Sequence, residues 1–171
     1  VGTMVLPQED WALLDQEVLG WVADHLDVGA FVDAVLEARR AIEPEAAALA
    51  CRRASLADLA RIEAALTGMD SARTNSLAFT EADLAFHEAL LRASHNPVFA
   101  QLIHSIQAGL NLMLLTSNKS VDDYSRTVTS HRRVLDALVA RDEAAARAAS
   151  LALLQHASDD LKRARGRAAS D

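Results

Sequence analysis

Apolar residues recur every three or four positions along most of this 171-residue chain, the spacing that places side chains on one face of an α-helix. The longest such stripe covers residues 27–53. It starts at Asp27, a residue type that caps helix N-termini, and it contains Pro44, so we expect a kink or a break near residues 41–43. Its members are Val28, Val32, Val35, Ile42, Ala46 and Leu49.

Helix start signals divide the rest of the chain. Ser55 and Asp58 form a capping-box-like pair, Pro97 suits the first turn of a helix, and Asp15 and Asp142 are candidate N-caps. No stretch alternates as a β-strand does, so the pattern predicts an all-α antiparallel bundle of six to seven helices. Besides the first stripe, helices are expected over residues 15–25, 55–69, 81–94, 97–116, 124–140 and 142–165.

The composition supports an all-α fold and argues against a membrane-spanning, disulfide-rich or nucleic-acid-binding chain. The chain is 51% hydrophobic and 4% aromatic, with 3 prolines. No run approaches the roughly 18 unbroken apolar residues of a membrane span, and the first residues lack signal-peptide order. Cys51 is the single cysteine, which excludes an internal disulfide framework and favours a cytoplasmic location. The net charge of -7 argues against nucleic-acid binding by this chain alone.

Polar residues within the apolar stripes are the candidates for function. Asp83 and His87 lie one turn apart on one helix face, and His131 lies among apolar residues of a later helix. Buried groups of this kind need partners. Either Asp83 pairs with a histidine, or the three bind a metal, because a carboxylate and two imidazoles suit Zn, Ni or Mn.

Arg39 also occupies a stripe position, between Val35 and Ile42. It either reaches the edge of the stripe, pairs with a local glutamate such as Glu43, or offers its planar guanidinium to an anionic ligand. A polar row on the helix over 97–116 is either solvated or lines a polar cavity. The row consists of Gln101, His104, Gln107 and Asn111.

Four segments, in this order, form a recognisable pattern: Glu-Ala-Arg-Arg-Ala-Ile-Glu-Pro-Glu at 37–45, Ala-Asp-Leu-Ala-Phe-His-Glu-Ala-Leu-Leu at 82–91, Ala-Ser-His-Asn-Pro at 93–97, and Ser-His-Arg-Arg-Val-Leu-Asp-Ala-Leu-Val-Ala-Arg-Asp at 130–142. They resemble the FCD effector-binding domain, the C-terminal half of FadR-type GntR transcription regulators, and the resemblance covers about residues 28–163. Residues 2–5 look like the last strand of the winged helix-turn-helix that precedes this domain. Residues 8–19 resemble the linker of sugar-acid-responsive, galactonate-type members.

The resemblance implies a helical bundle that encloses a cavity, a metal in many members, and a small carboxylate effector. The family's ligands are the Asp and His of a D-x3-H helix and one histidine on each of the last two helices. Asp83, His87 and His131 match the first three. Leu153 stands at the fourth position, and His156 matches a second position that is often His, rotated by about 60° from the first. We therefore expect weak or partial metal binding, with His156 as a possible extra ligand.

The same resemblance assigns the effector contacts. Arg39 matches the arginine of the family's E-x-R motif, which meets effector carboxylates. Gln107 and Asn111 are candidates for contacts with effector hydroxyl groups.

The expected domains are a remnant of the wing strand at residues 1–7, a linker with a first helix at 8–26, and an FCD ligand-binding domain at 27–168. A disordered remnant is the alternative for the first segment, and Trp11 and Trp21 either anchor the linker on a neighbouring domain or pack in the bundle. The predicted function is effector sensing by a homodimeric regulator that is not an enzyme and meets operator DNA only through a missing winged helix. The alternative is a metal-dependent, hydrolase-like bundle, for which no H-E-x-x-H motif is present.

Overall fold

A computed structural model describes residues 4, 6–7, 10–13, 15, 17–18, 21, 25, 27–104, 106–107, 109 and 124–168. The described residues contain no strand, which confirms the all-α prediction. Besides the six helices named next, residues 103–104, 106–107 and 109 are helical. The helices are α1 (Val28–Arg53), α2 (Leu56–Ser71), α3 (Ser76–Ala93), α4 (Pro97–Gln101), α5 (Ser125–Val139) and α6 (Glu143–Ala168).

The predicted caps begin these helices. The Asp27 carboxylate accepts a hydrogen bond from the Ala30 amide at 3.0 Å, and Asp142 accepts one from Ala145 at 2.9 Å. Ser55 and Asp58 form a complete capping box at the start of α2. These contacts satisfy amide groups that a helix leaves without partners in its first turn, so the helix starts follow from local sequence.

Helix α1 continues through Pro44 without a break, so of the kink or break expected near residues 41–43 the break is wrong. Proline removes one hydrogen bond within the helix and crowds the preceding turn. Helix α1 lies in the middle of the bundle, in contact with α3, α5 and α6. Pro44 itself is buried. Packing on several sides therefore holds the helix together where the local preference favours an interruption.

The main core lies where α2, α3, α5 and α6 meet around the second half of α1. A smaller apolar cluster joins α1 and α3 to the segment after α4. In that segment Gly109 approaches α1 so closely that a Cβ atom there would lie 2.9 Å from Cγ1 of Val35. The middle of α1 lies between the two clusters. The largest fully buried apolar side chains are Phe86, Ile62, Leu66, Met69, Leu90, Leu91, Leu138, Leu154 and Val134.

The linker is described only in part. Asp15 accepts hydrogen bonds from the Glu17 and Val18 amides at 2.8 and 3.2 Å, as its predicted cap role requires. Trp21 is 75% exposed, so it does not pack in the bundle, and Trp11 donates to the Leu6 carbonyl at 2.8 Å. Most of residues 1–7, and residues 117–123 between the helices expected over 97–116 and 124–140, lie outside the described residues. Among the helices that the structure describes, none has the length and apolar character to cross a membrane.

Candidate metal and effector site

Asp83, His87 and His131 come together inside the bundle. Helix α3 carries the first two and α5 carries the third. One ligand atom from each lies within 4.8 Å of the others. Nε2 of His131 lies 3.0 Å from Oδ1 of Asp83 and 3.3 Å from Nε2 of His87, and Nε2 of His87 lies 3.8 Å from Oδ2 of Asp83. We call these three residues the Asp-His-His cluster.

His131 is oriented by its own helix. Its Nδ1 atom lies 2.8 Å from the carbonyl oxygen of Thr127, one turn earlier, so Nδ1–H is the donor. Its ring also packs edge-on against Phe86, with centroids 4.7 Å apart. In the neutral imidazole this hydrogen bond leaves the lone pair on Nε2, which faces the cluster. That is the orientation required of a histidine that binds a metal through Nε2.

His87 is oriented by a second carboxylate. Its Nδ1 atom lies 2.9 Å from Oε2 of Glu43, in α1. This contact is short but is not aligned as a hydrogen bond, and neither atom has a hydrogen-bond partner among the described residues. On the other side of the ring, Nη2 of Arg39 lies 2.8 Å from Nε2. A guanidinium only donates, so Nε2 of His87 is the acceptor and Nδ1 carries the proton.

Arg39 and Glu43 form a buried ion pair one turn apart, with Nε of Arg39 2.5 Å from Oε1 of Glu43. The structure therefore contains the Arg39–Glu43 ion pair, which was one of the interpretations of Arg39 from the sequence. It also contains more, because the same guanidinium reaches His87 on α3. The side chain is 7% exposed, so Arg39 does not extend to the solvent at the edge of the stripe.

The electrostatics of the site favour ionised carboxylates. Burial raises the pKa of Glu43, but the charge of Arg39 and the contact with His87 outweigh it and hold the pKa at about 2. Burial also raises the pKa of Asp83, but its contacts with His131 and His87 and the charge of Arg39 bring it below its usual value. Both groups therefore present negative charge at neutral pH.

The residues present fit a divalent metal. One carboxylate and two imidazoles are a donor set used for Zn and similar ions, and three protein ligands leave coordination positions open. The rear nitrogen of each imidazole faces a hydrogen-bond acceptor, which aims Nε2 at the cluster. The same 3.0 Å contact between Asp83 and His131 also satisfies the alternative, a direct carboxylate–histidine pair.

The other predicted site residues lie elsewhere. Leu153 is buried in the main core. His156 lies outside the Asp-His-His cluster, and its Nδ1 atom is 3.0 Å from Oγ of Ser130. Gln107 is half-buried in the segment after α4, and Asn111 lies outside the described residues. His156 thus has a hydrogen-bond partner of its own on α5.

The spaces that border the described helices differ in size. A small one beside Arg39 and Glu43 has a volume of about 10 Å³, close to that of one water molecule. Its apolar walls include Val35, Leu91 and Ile106. An open groove of about 590 Å³ lies between α2 and α5, on a different face from the cluster. The small space is next to the converging polar groups, so it is where an effector contact with Arg39 is to be sought.

Glu43 belongs to the site, although from the sequence it was expected only as an ion-pair partner of Arg39. It is 1% exposed, and it connects α1 to the histidine on α3. Its position four residues after Arg39, directly before a proline within the apolar stripe, was the available signal. The contact with His87 was not visible, because it joins residues that are distant in the chain.

Comparisons with known proteins agree with this architecture. Residues 34–156 match the FCD domain family. Over 164 residues the chain is 34% identical to the galactonate operon transcriptional repressor of Escherichia coli K12. The matched region covers 94% of this chain and 71% of the repressor. The chain is 30% identical over 160 residues to YieP, an uncharacterised HTH-type transcriptional regulator of the same organism, covering 91% of this chain and 67% of YieP.

A solved structure supports the fold. Streptococcus agalactiae GntR superimposes with a TM-score of 0.69 and 21% sequence identity, covering 84% of this chain and 64% of that one. At this identity the similarity concerns the architecture of the helices. The two sequence relatives are transcription regulators and not enzymes, so they give no support to the hydrolase-like alternative.

Proposed function

Because this chain belongs to the FCD domain family of GntR-type transcription regulators, we propose that it senses a small carboxylate effector, a sugar acid or a hydroxy acid. The effector would lie beside a divalent metal, Zn, Ni or Mn, held by Asp83, His87 and His131. Its binding would be relayed to a DNA-binding domain. The observation that supports this proposal is the convergence of the three ligand atoms within 4.8 Å next to the buried guanidinium of Arg39.

Each side chain has a separate role in this proposal. Asp83, His87 and His131 hold the metal, which supplies positive charge and open coordination positions for an effector oxygen. Arg39 binds the effector carboxylate, because its planar fork matches the two carboxylate oxygens. Gln107 would contact an effector hydroxyl group. Asn111 stays a candidate for the same role. His156 is an additional ligand only if α6 shifts.

The relay follows from the place of the site in the bundle. The site joins α1, α3 and α5, and small-molecule sites have volumes of roughly 300–1,000 Å³, whereas the space beside Arg39 has about 10 Å³. A sugar acid would therefore enter together with a displacement of the apolar walls. Such a displacement shifts a population between two arrangements of the bundle if the effector binds one of them more tightly. Transmission through a homodimer is part of the proposal, and light scattering after gel filtration tests it.

The experiment is a thermal-shift screen of metal-depleted protein with sugar acids, hydroxy acids and dicarboxylates, each with and without added Zn or Ni. Galactonate is the first compound, because one relative represses the galactonate operon. A ligand at about 100 times its dissociation constant stabilises the folded state by about 2.7 kcal/mol. We expect one acid to raise the melting temperature, to lose the effect with chelator, and to regain it with metal.

The controls separate the parts of the proposal. Arg39→Met should abolish stabilisation by the acid, whereas Arg132→Met, at an exposed arginine of α5, should leave it unchanged. Stabilisation that is indifferent to chelator would contradict the metal assignment and leave the effector to Arg39. Absence of stabilisation by every acid, with metal present, would contradict the small-carboxylate proposal.

A further inference from the structure

Glu43 makes two contacts that connect the candidate metal ligands to the candidate effector anchor. Its Oε1 atom lies 2.5 Å from Nε of Arg39, and its Oε2 atom lies 2.9 Å from Nδ1 of His87. The carboxylate is 1% exposed. A buried ion pair is by itself weak support for stability, because the cost of removing two charges from water offsets much of their attraction. Stability alone therefore does not explain the buried Glu43 carboxylate.

The two histidines of the cluster are oriented differently. Thr127 orients His131 through a main-chain carbonyl, which no side-chain change on another helix removes. Glu43 faces the rear nitrogen of His87 from α1, and the same carboxylate holds Arg39. The orientation of His87 and that of Arg39 consequently depend on one group. A change at Glu43 must affect both.

Nε2 of His87 is the atom where the two functions meet. Nη2 of Arg39 donates to it at 2.8 Å, along the direction of the lone pair that a metal ligand needs. His87 therefore serves as a metal ligand only when Nη2 has moved away. Nε of Arg39 is hydrogen-bonded to Glu43, so the guanidinium can turn about that contact and keep its place beside the site when Nη2 leaves His87.

We propose that Glu43 is a positioning residue that keeps Nδ1 of His87 protonated and retains Arg39 beside the site, so that metal binding at His87 and the release of Nη2 of Arg39 for an effector are coupled. This inference rests on the proposed function, since it assigns metal and effector to the same site. Carboxylates that orient a ligating histidine from its rear nitrogen typically change metal affinity by roughly 10- to 100-fold.

Glu43→Gln is the discriminating variant. The amide oxygen still accepts from Nε of Arg39, but the amide NH2 group donates and does not accept Nδ1–H of His87. We expect roughly 10- to 100-fold weaker Zn binding by calorimetry on metal-depleted protein. In the double variant of Glu43→Gln with Arg39→Met, where no guanidinium donates to Nε2, we also expect the imidazole nitrogen shifts of His87 in NMR spectra to change from the Nδ1–H to the Nε2–H tautomer. A role in packing alone would not change the tautomer.

Two further variants complete the test. Asp58→Asn alters another carboxylate that contacts a histidine, His95 at 2.9 Å, away from the site, and should leave Zn binding and the His87 tautomer as they are. Arg39→Met removes the group that competes for Nε2 of His87, and Zn binding should tighten. The opposite signs for Arg39→Met and Glu43→Gln are specific to the proposal.

The outcomes separate this inference from the proposed function. If the unaltered protein does not bind Zn, the metal part of the proposed function fails, and the tautomer of His87 in the double variant decides the role of Glu43. An unchanged tautomer overturns the inference, as does unchanged Zn affinity in a protein that binds Zn. If Glu43→Gln does not fold, Arg39→Met decides the inference, and equal or weaker Zn binding in that variant overturns it.

Discussion

Nε2 of His131 lies 3.0 Å from Oδ1 of Asp83, the shortest contact between any two members of the Asp-His-His cluster. It joins α5 to α3 across 48 positions of the chain. Because Asp83, His87 and His131 contact one another without a metal, the protein folds with its candidate ligands held together. A metal would then be bound by groups that are in place beforehand, which favours affinity.

Asp83→Asn separates metal binding from folding. The Asn side chain keeps its contact with His131, because its amide NH2 group donates to the lone pair on Nε2, so the melting temperature of the metal-depleted protein should stay close to that of the unaltered chain. The loss of the negative charge should weaken Zn binding by at least about tenfold, measured by calorimetry. Asp136→Asn, at an exposed position of α5, is the matched control and should bind Zn normally.

Leu153→His restores an imidazole at the position where the family resemblance places a fourth ligand. We expect Zn affinity to rise by at least about tenfold, and the melting temperature without metal to fall, because a polar ring replaces a buried leucine. Leu154→His changes the next buried residue, which points in another direction on α6, and should destabilise without tightening Zn binding. Equal gains in the two variants would contradict the assigned ligand position.

Arg141 links the start of α6 to the end of α1. Its guanidinium donates to the Cys51 carbonyl at 3.0 Å and to the Ala54 carbonyl at 2.8 Å, and its backbone has a φ of 57°. Arg141→Ala should lower the free energy of unfolding by about 2 kcal/mol, measured by urea denaturation. Arg141→Gly loses the same hydrogen bonds but adopts this φ without strain, so it should cost about 1 kcal/mol less. A larger loss for glycine than for alanine would show that the strained φ is unimportant.

Asp58 predicts a pH dependence of stability. Hydrogen bonds from the side chain and backbone of Ser55, and one from His95, lower its pKa from 3.8 to about 2. A lowered pKa means that the folded state favours the carboxylate, so this stabilisation is complete above about pH 5 and is lost as the pH falls towards 2. In urea denaturation, the difference in unfolding free energy between the unaltered chain and Asp58→Asn should be constant above about pH 5 and shrink below pH 4. A difference that is independent of pH would contradict this account.

Local sequence determined the helices of this protein. Asp27, Ser55 and Asp142 cap helices through contacts within three residues, and Pro97 begins α4, so these starts were predictable. The continuity of α1 through Pro44 was not, because packing against three other helices overrides the preference of a single residue.

The sequence by itself also identified Asp83, His87, His131 and Arg39, because charged or polar groups in an apolar stripe require partners. Only the tertiary structure decided which residues are those partners. The contact of Arg39 with His87 spans 48 positions, and Glu43 reaches His87 from a different helix. The spacing of residues along one helix shows only which of its own residues share a face. The distance between two helices depends on how their apolar faces pack.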